Sequence, residues 1–264
     1  MNVLFFGDIV GRPGRVALQT ILPGLREEFG ADLVIANAEN AAHGFGITPD
    51  VIDGLRDAGV DLFTAGNHVW KNVRGVELLD TDPDYIAVPA NYVQKMPGRE
   101  LVATTVNGAP VVLINLIGQA FTTDDEVRSP FDVFDQIYRE HGMEAITIVD
   151  LHAEATGEKR CFSWYVDGRA TLVVGTHTHV PTADEQIMPK GTGYITDLGM
   201  CGAVDSSIGM NKQLAIKKVA QQIEIHLEPP TDVDSGVVQG VAVNIDETAR
   251  KAVSIERIDR IVAL

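Results

Sequence analysis

Cysteine is scarce in this chain. Cys161 and Cys201 are the two present in 264 residues, too few to staple a protein of this length and in keeping with a reducing compartment, so the cytoplasm is the expected location. Basic residues are short as well. Lysine and arginine total 21 against 37 aspartates and glutamates, a net charge of −16. That field repels long DNA or RNA, so a phosphate-bearing ligand must be small or held by metal. Nowhere do about 18 apolar residues follow one another, which argues against a membrane-spanning helix. Residues 1–10 are apolar but lack the basic start of a signal peptide, and Asp8 interrupts the run; a first β-strand fits better. No repeat, low-complexity tract or linker rich in proline, glycine and serine divides the sequence. With 45% hydrophobic and 22% charged residues, residues 1–264 are expected to form one globular domain, neither collagen-like nor disordered.

What is present alternates short apolar runs with amphipathic stretches. NVLFFG from Asn2, a helix within residues 14–29, DLVIANA from Asp32, a helix over residues 49–58 and DLFTAG from Asp61 make a βαβαβ rhythm, which predicts a largely parallel sheet. Thr48, Pro49 and Asp50 supply an N-cap oxygen, a proline at the first helical position and an acid in the first turn. Pro23 is expected to kink or split the first helix. Asn107-Gly108, between ELVATTV and PVVLINLIG, is the strongest hairpin signal and opens an antiparallel portion. The βα rhythm then returns with a helix over 130–140, AITIVDL from Ala145, a helix over 154–166 and TLVVGT from Thr171. Residues 185–188 with 194–196, and 240–245 with 252–258, read as antiparallel pairs separated by a helix around 212–222. Together these predict an α/β fold of two mixed β-sheets packed face to face with helices outside.

Five strand-like runs end in residues able to bind metal: Asp8, then Glu39 and Asn40, then Asn67 and His68, then His152, then His177 and His179. Each alone has a plainer reading. A strand-end Asp is usually a turn or helix-cap residue, Asn67 after Gly66 suits a turn, and His152 could be a satisfied core histidine. The recurrence outweighs these readings, because carboxyl ends of parallel strands share one sheet edge, where ligand sites form. In GTHTH, Gly175 permits close backbone approach, and alternate histidines in extended chain are expected to project to the same side. One Asp, one Glu, one Asn and three His exceed what a single catalytic ion with an open position takes, so two ions sharing a bridging group are expected. Imidazole with carboxylate and amide oxygen, without thiolate, favours Fe, Mn or Zn over an all-oxygen Mg or Ca site. Two divalent ions less the charges of Asp8 and Glu39 leave about two positive charges to attract an anion. His43, in AAHGFG, reads as a solvated loop histidine, and Cys201 is not expected to be a ligand.

The ordered segments GD at Gly7, AEN at Ala38, GNH at Gly66, LH at Leu151 and GTHTH at Gly175 resemble the calcineurin-like metallophosphoesterase superfamily. The match is nearer to its small bacterial YmdB-type phosphodiesterases, in which Glu-Asn replaces the usual G-D-x-x-D and the D-x-H histidine is missing; Val10 stands there in this chain. ITDLGM from Ile195 and SSIGM from Ser206 extend the resemblance to about residue 211. It implies a four-layer α/β/β/α sandwich and a dinuclear metal centre, di-iron in relatives, with Mn, Zn or Mg as alternatives. One ion would be held by Asp8, Glu39 and His179, the other by Glu39, Asn67, His152 and His177. Asn40 would face substrate, and His68 would protonate or stabilise the leaving oxygen, or else orient a ligand. The implied reaction is attack of a metal-bridging water on small phosphodiesters, 2′,3′-cyclic nucleotides above all and 3′,5′-cyclic ones second. Phosphomonoesterase or protein phosphatase action, and a regulatory metal-binding role through a partner, are the alternatives. Long nucleic acid and membranes are not expected as partners, and a homo-oligomer is left open.

Overall fold

The computed structural model describes residues 1–121 and 126–264. In chain order the strands and helices are β1 (Asn2–Phe6), β2 (Asp8–Ile9), α1 (Gly11–Phe29), β3 (Leu33–Asn37), α2 (Pro49–Asp57), β4 (Leu62–Thr64), α3 (Val73–Asp80), β5 (Ile86–Ala87), β6 (Leu101–Val106), β7 (Ala109–Ile117) and α4 (Pro130–Ile137). They continue as β8 (Ile146–His152), α5 (Thr156–Val166), β9 (Leu172–Thr176), β10 (Gln186–Ile187), β11 (Gly193–Ile195), β12 (Met200–Ala203), α6 (Lys212–Gln221), β13 (Ser235–Asp246) and β14 (Lys251–Ala263). One sheet runs β2-β12-β13-β1-β3-β4-β5 with β14 on β13, the other β10-β11-β9-β8-β7-β6. Both are mixed. β1, β3, β4 and β5 pair in parallel, as do β7, β8, β9 and β11, whereas β13 joins β1, β12 and β14 antiparallel.

Alternation along β1 shows how the layers are built. Leu4 and Phe6 pack with Leu18, Leu22 and Leu25 of α1 and with Ile52 and Leu55 of α2. Val3 and Phe5 point the other way, onto Leu113, Ile148 and Val174 of the second sheet. The far face of that sheet, with Ile114, Val149 and Leu151, is covered by Val133 and Phe134 of α4 and Phe162 of α5. Period-two side chains on two-faced strands thus yield four layers, α/β/β/α. No helix among the described residues is long and apolar enough to cross a membrane.

Local expectations mostly hold, with corrections. Asn107 and Gly108, both at positive φ (52° and 84°), close a two-residue turn between Val106 and Ala109, as a primed hairpin turn requires. α1 starts at Gly11 and runs unbroken through Pro23, which lies on the exposed face, where the carbonyl it frees can take a hydrogen bond from water. Thr48 is the N-cap residue of α2, but its side chain makes no capping bond; Val51 and Ile52 N–H donate to its carbonyl instead. The short strands β2, β5 and β12 were not evident from the sequence.

Candidate metal centre

The carboxyl ends of the parallel strands of both sheets meet at one edge. Asp8 follows β1, Glu39 and Asn40 follow β3, Asn67 and His68 follow β4, His152 ends β8, and His177 and His179 follow β9. Asp8, Glu39, Asn40 and His152 are buried. Ligand-capable atoms of Glu39, His152 and His177 all lie within 4.8 Å of one another. Glu39 Oε1 is 3.2 Å from His152 Nε2, which is 3.1 Å from His177 Nδ1. Beside them, His179 Nε2 is 3.7 Å from Asp8 Oδ1, and Asn40 Nδ2 is 3.0 Å from Glu39 Oε1 and 3.4 Å from His179 Nε2. Gly66 packs so tightly that a Cβ there would collide with Glu39 Oε2 and His152 Nε2, which only glycine avoids. His68 N–H donates to Glu39 Oε2 at 2.8 Å, so Asn67 stands between two residues in contact with Glu39.

One sequence argument fails in its geometry. His177 and His179 do not lie in extended chain; β9 ends at Thr176, and both histidines have positive φ, 95° and 63°. That left-handed backbone is held from outside the segment. His177 N–H donates to Asp8 Oδ2 at 3.1 Å, and Thr178, through its hydroxyl at 2.8 Å, donates to Asp197 Oδ2. Both rings still reach the cleft, by separate routes. His43 is exposed, and the buried Cys201 thiol, pushed up to about 12 by burial, faces Gln239.

Charge balance in the cleft is severe. Burial resists ionisation of Asp8 and Glu39, but the His179 and His152 charges overcome it, so both carboxyls sit below their ordinary range. The reciprocal effect lifts the imidazoles. Burial pushes His152 and His179 down, yet Glu39 for the one and Asp8 for the other raise each to about 9. Burial and the His152 charge press His177 down to about 4. Burial also lowers His68, partly offset by Glu39. The anionic pair is therefore balanced by protons on two imidazoles. Even so, Asp8 Oδ1, Asn40 Oδ1, Asn67 Oδ1 and His68 Nδ1 are buried with no hydrogen-bond partner. Buried orphan acceptors are costly and rare, and oxygens aimed beside imidazoles suit a divalent cation.

Comparisons with known proteins give the family. The profile of the YmdB-like protein family matches residues 4–258. The chain belongs to that family. A 2′,3′-cyclic-nucleotide 2′-phosphodiesterase of Bacillus subtilis is 39% identical over 259 residues, covering 98% of this chain and 96% of the relative. The crystal structure of a protein described as a novel phosphatase from Mycoplasma pneumoniae superposes with a TM-score of 0.93 at 32% identity, covering 99% of this chain and 93% of the other. One described as a hypothetical protein from Thermus thermophilus gives 0.91 at 34%, covering 99% of each. The chain is accordingly a hydrolytic phosphoesterase of the metallophosphoesterase fold, and that fold implies divalent metal ions.

Beneath the cleft lies a layer that the sequence did not reveal. Asp150, buried on β8, accepts from Asn37 Nδ2 at 3.1 Å and from the Thr64 and Thr176 hydroxyls at 2.5 and 2.7 Å. Because the Thr176 hydroxyl donates to Asp150, its oxygen must accept from His152 Nδ1, 2.9 Å away. With that proton held on Nδ1, loss of the second proton from the raised His152 frees Nε2 as the neutral ring's lone-pair donor, on the side of Glu39 and His177. His179 is set likewise: Nδ1 donates to Ile208 O at 2.8 Å, which turns Nε2 to Asp8. For His177 the order is reversed, with Nε2 3.2 Å from Glu154 and Nδ1 facing inward. Buried Lys159 donates to Asp197 and to Thr176 O, both at 2.7 Å, fixing the carboxylate that holds Thr178. The available signal was a charged residue inside an apolar strand: Asp150 lies two residues before His152 and shares its side of β8.

Proposed function

We propose that this protein hydrolyses small phosphodiesters in the cytoplasm, 2′,3′-cyclic nucleotides first and 3′,5′-cyclic ones second. The observation carrying this reading is the preassembled Glu39–His152–His177 group beside the Asp8–His179 pair, in a chain 39% identical to a cyclic-nucleotide phosphodiesterase. Asp8, Glu39 and His179 would hold one metal ion, and Glu39, Asn67, His152 and His177 the other, with Glu39 shared. Iron fits this mixed nitrogen and oxygen set, as do manganese and zinc; magnesium fits it less well. Bound there, such ions lower the pKa of water and offset developing negative charge on phosphoryl oxygens.

The chain's own groups account for positioning. Asn40 Nδ2 is tied to Glu39, while its Oδ1 remains unpartnered and can orient substrate. His68 is fixed through its backbone on Glu39, and its Nδ1 has no partner. Burial lowers its pKa, so at neutral pH the neutral ring acts on the leaving oxygen chiefly as a hydrogen-bond donor that stabilises developing charge. Two divalent ions less the charges of Asp8 and Glu39 would leave about two positive charges, and about one once hydroxide is counted, which a monoanionic diester would neutralise and a dianionic monoester would turn net negative. Metal-loaded protein should therefore hydrolyse bis(p-nitrophenyl) phosphate and 2′,3′-cyclic nucleotides with higher kcat/KM than p-nitrophenyl phosphate. Equal or reversed values would move the reading toward a monoesterase.

A further inference from the structure

Resting on the phosphodiesterase reading, we infer that Phe45 and His226 form an aromatic ledge that receives the base of a nucleotide substrate. If His68 faces the leaving ribose oxygen, the nucleoside leaves the metal centre on the His68 side. The next ring on that side is Phe45, edge-on to His68 with centroids 5.0 Å apart. Beyond it comes His226, 6.2 Å from Phe45 and tilted by 45°. Three rings thus lead out of the cleft in the direction a nucleoside would take.

The outer two rings are held in place by the fold. Phe45 tops a tight loop in which Phe45 N–H donates to Ala42 O at 3.1 Å and Ala42 N–H to Gly46 O at 2.9 Å. His226 is exposed but lies on a segment anchored around it. Leu227 packs against the cluster of Val10, Met200, Met210 and Val237. Glu228 O accepts from Asn211 N–H at 2.8 Å. Pro229 seats so closely on Gly44 that a Cβ there would lie 2.8 Å from its Cδ, which locks this segment to the loop carrying Phe45. A base stacks on such rings with little regard to its hydrogen-bonding edge, so purines should be favoured over pyrimidines by area alone.

The test compares 2′,3′-cyclic AMP, 2′,3′-cyclic UMP and a base-free methyl riboside 2′,3′-cyclic phosphate, using metal-loaded wild type, His226→Ala and His226→Phe. Aromatic stacking on one base is worth roughly 5- to 150-fold. His226→Ala should raise KM for cyclic AMP by about that much relative to the base-free substrate, shrink the preference over cyclic UMP and leave kcat for each substrate largely intact. His226→Phe should restore the cyclic AMP value, and calorimetric affinity for the product 3′-AMP should follow the same order without turnover. A wild type that turns over the base-free substrate as well as cyclic AMP, or a His226→Ala loss equal for both, overturns the ledge while leaving the phosphodiesterase reading intact. A wild type that cleaves no diester overturns both.

Discussion

His152 and His179 carry the most informative shifts in the molecule. Each is raised from 6.5 to about 9 by a buried carboxylate that outweighs its own burial, so in metal-free protein at pH 7 both rings are protonated. A metal requires the neutral ring, and loading must expel those protons. Calorimetry at pH 7 in buffers of different ionisation enthalpy should show about two protons released per fully loaded chain, with affinity rising with pH and levelling off above about 9. Release of only about one proton would mean that one of these rings is not a ligand. The linkage sign for folding of the metal-free protein is opposite. A raised histidine pKa contributes stability that is complete below 6.5 and lost as pH rises through about 9, so metal-free protein should lose stability over the range in which metal binding strengthens. His68 has a different role at this scale. If it stabilises the leaving oxygen, His68→Ala should retain full metal content while lowering kcat by roughly 10²- to 10⁴-fold, less so with a p-nitrophenyl leaving group. Metal lost from that variant would instead make His68 a support for the ligands.

β8 and its neighbours show how ligand geometry is imposed from below. Asp150 gathers donors from β3, β4 and β9, so one carboxylate on the second sheet ties together strands of both sheets directly under Glu39 and His152. In Asp150→Asn an amide can accept on one side only. With its oxygen toward Thr64 and Asn37, its NH₂ would donate to Thr176 and turn that hydroxyl onto His152 Nδ1. In the neutral ring that a metal requires, the remaining proton would then sit on Nε2, the atom facing Glu39. Outer partners of this kind are worth about 10- to 100-fold in metal affinity, so competition with a chelator should show a loss of that size in Asp150→Asn with the fold retained by circular dichroism; unchanged affinity would remove Asp150 from this role. The same elements mark the limit of what was legible in the sequence. Apolar runs ending in Asp, Glu, Asn or His are local patterns, and the shared edge of parallel strands follows from topology, so the convergence of Asp8, Glu39, His152 and the GTHTH histidines could be foreseen. The positive φ of His177 and His179 could not, because Asp8 and Asp197 hold that segment from other parts of the chain. β12 was hidden for a related reason: Met200–Ala203 has no alternation of its own and is a strand only because β2 and β13 flank it. Thr48 had the right residue type for a side-chain cap, yet that bond is not made.

For the whole molecule, the placement of the proposed ligands across two sheets has mechanical weight. Asp8, Glu39 and Asn67 follow strands of the first sheet, whereas His152, His177 and His179 belong to the second. Each proposed ion would therefore bridge the sheets at the edge where their inner apolar faces stop. The inter-sheet core of Val3, Phe5, Ile35, Leu113, Ile148 and Val174 holds the layers together without metal, so chelated protein should stay folded, with its buried carboxylates balanced by protonated His152 and His179. Binding of each ion to the native state alone still stabilises it, by about 2.7 kcal/mol at a free metal concentration roughly 100 times Kd. In a chain of this size that corresponds to a rise in Tm of roughly 5–10 °C. Because the protons lost from His152 and His179 oppose loading at low pH, the gap between loaded and chelated Tm should be wide at about pH 8.5 and narrow toward about pH 6. Scanning calorimetry of both forms across that range measures it directly. A gap that is absent, or that widens as pH falls, would show that the ions do not bind through these two imidazoles and that the bridge between the sheets is held by other groups.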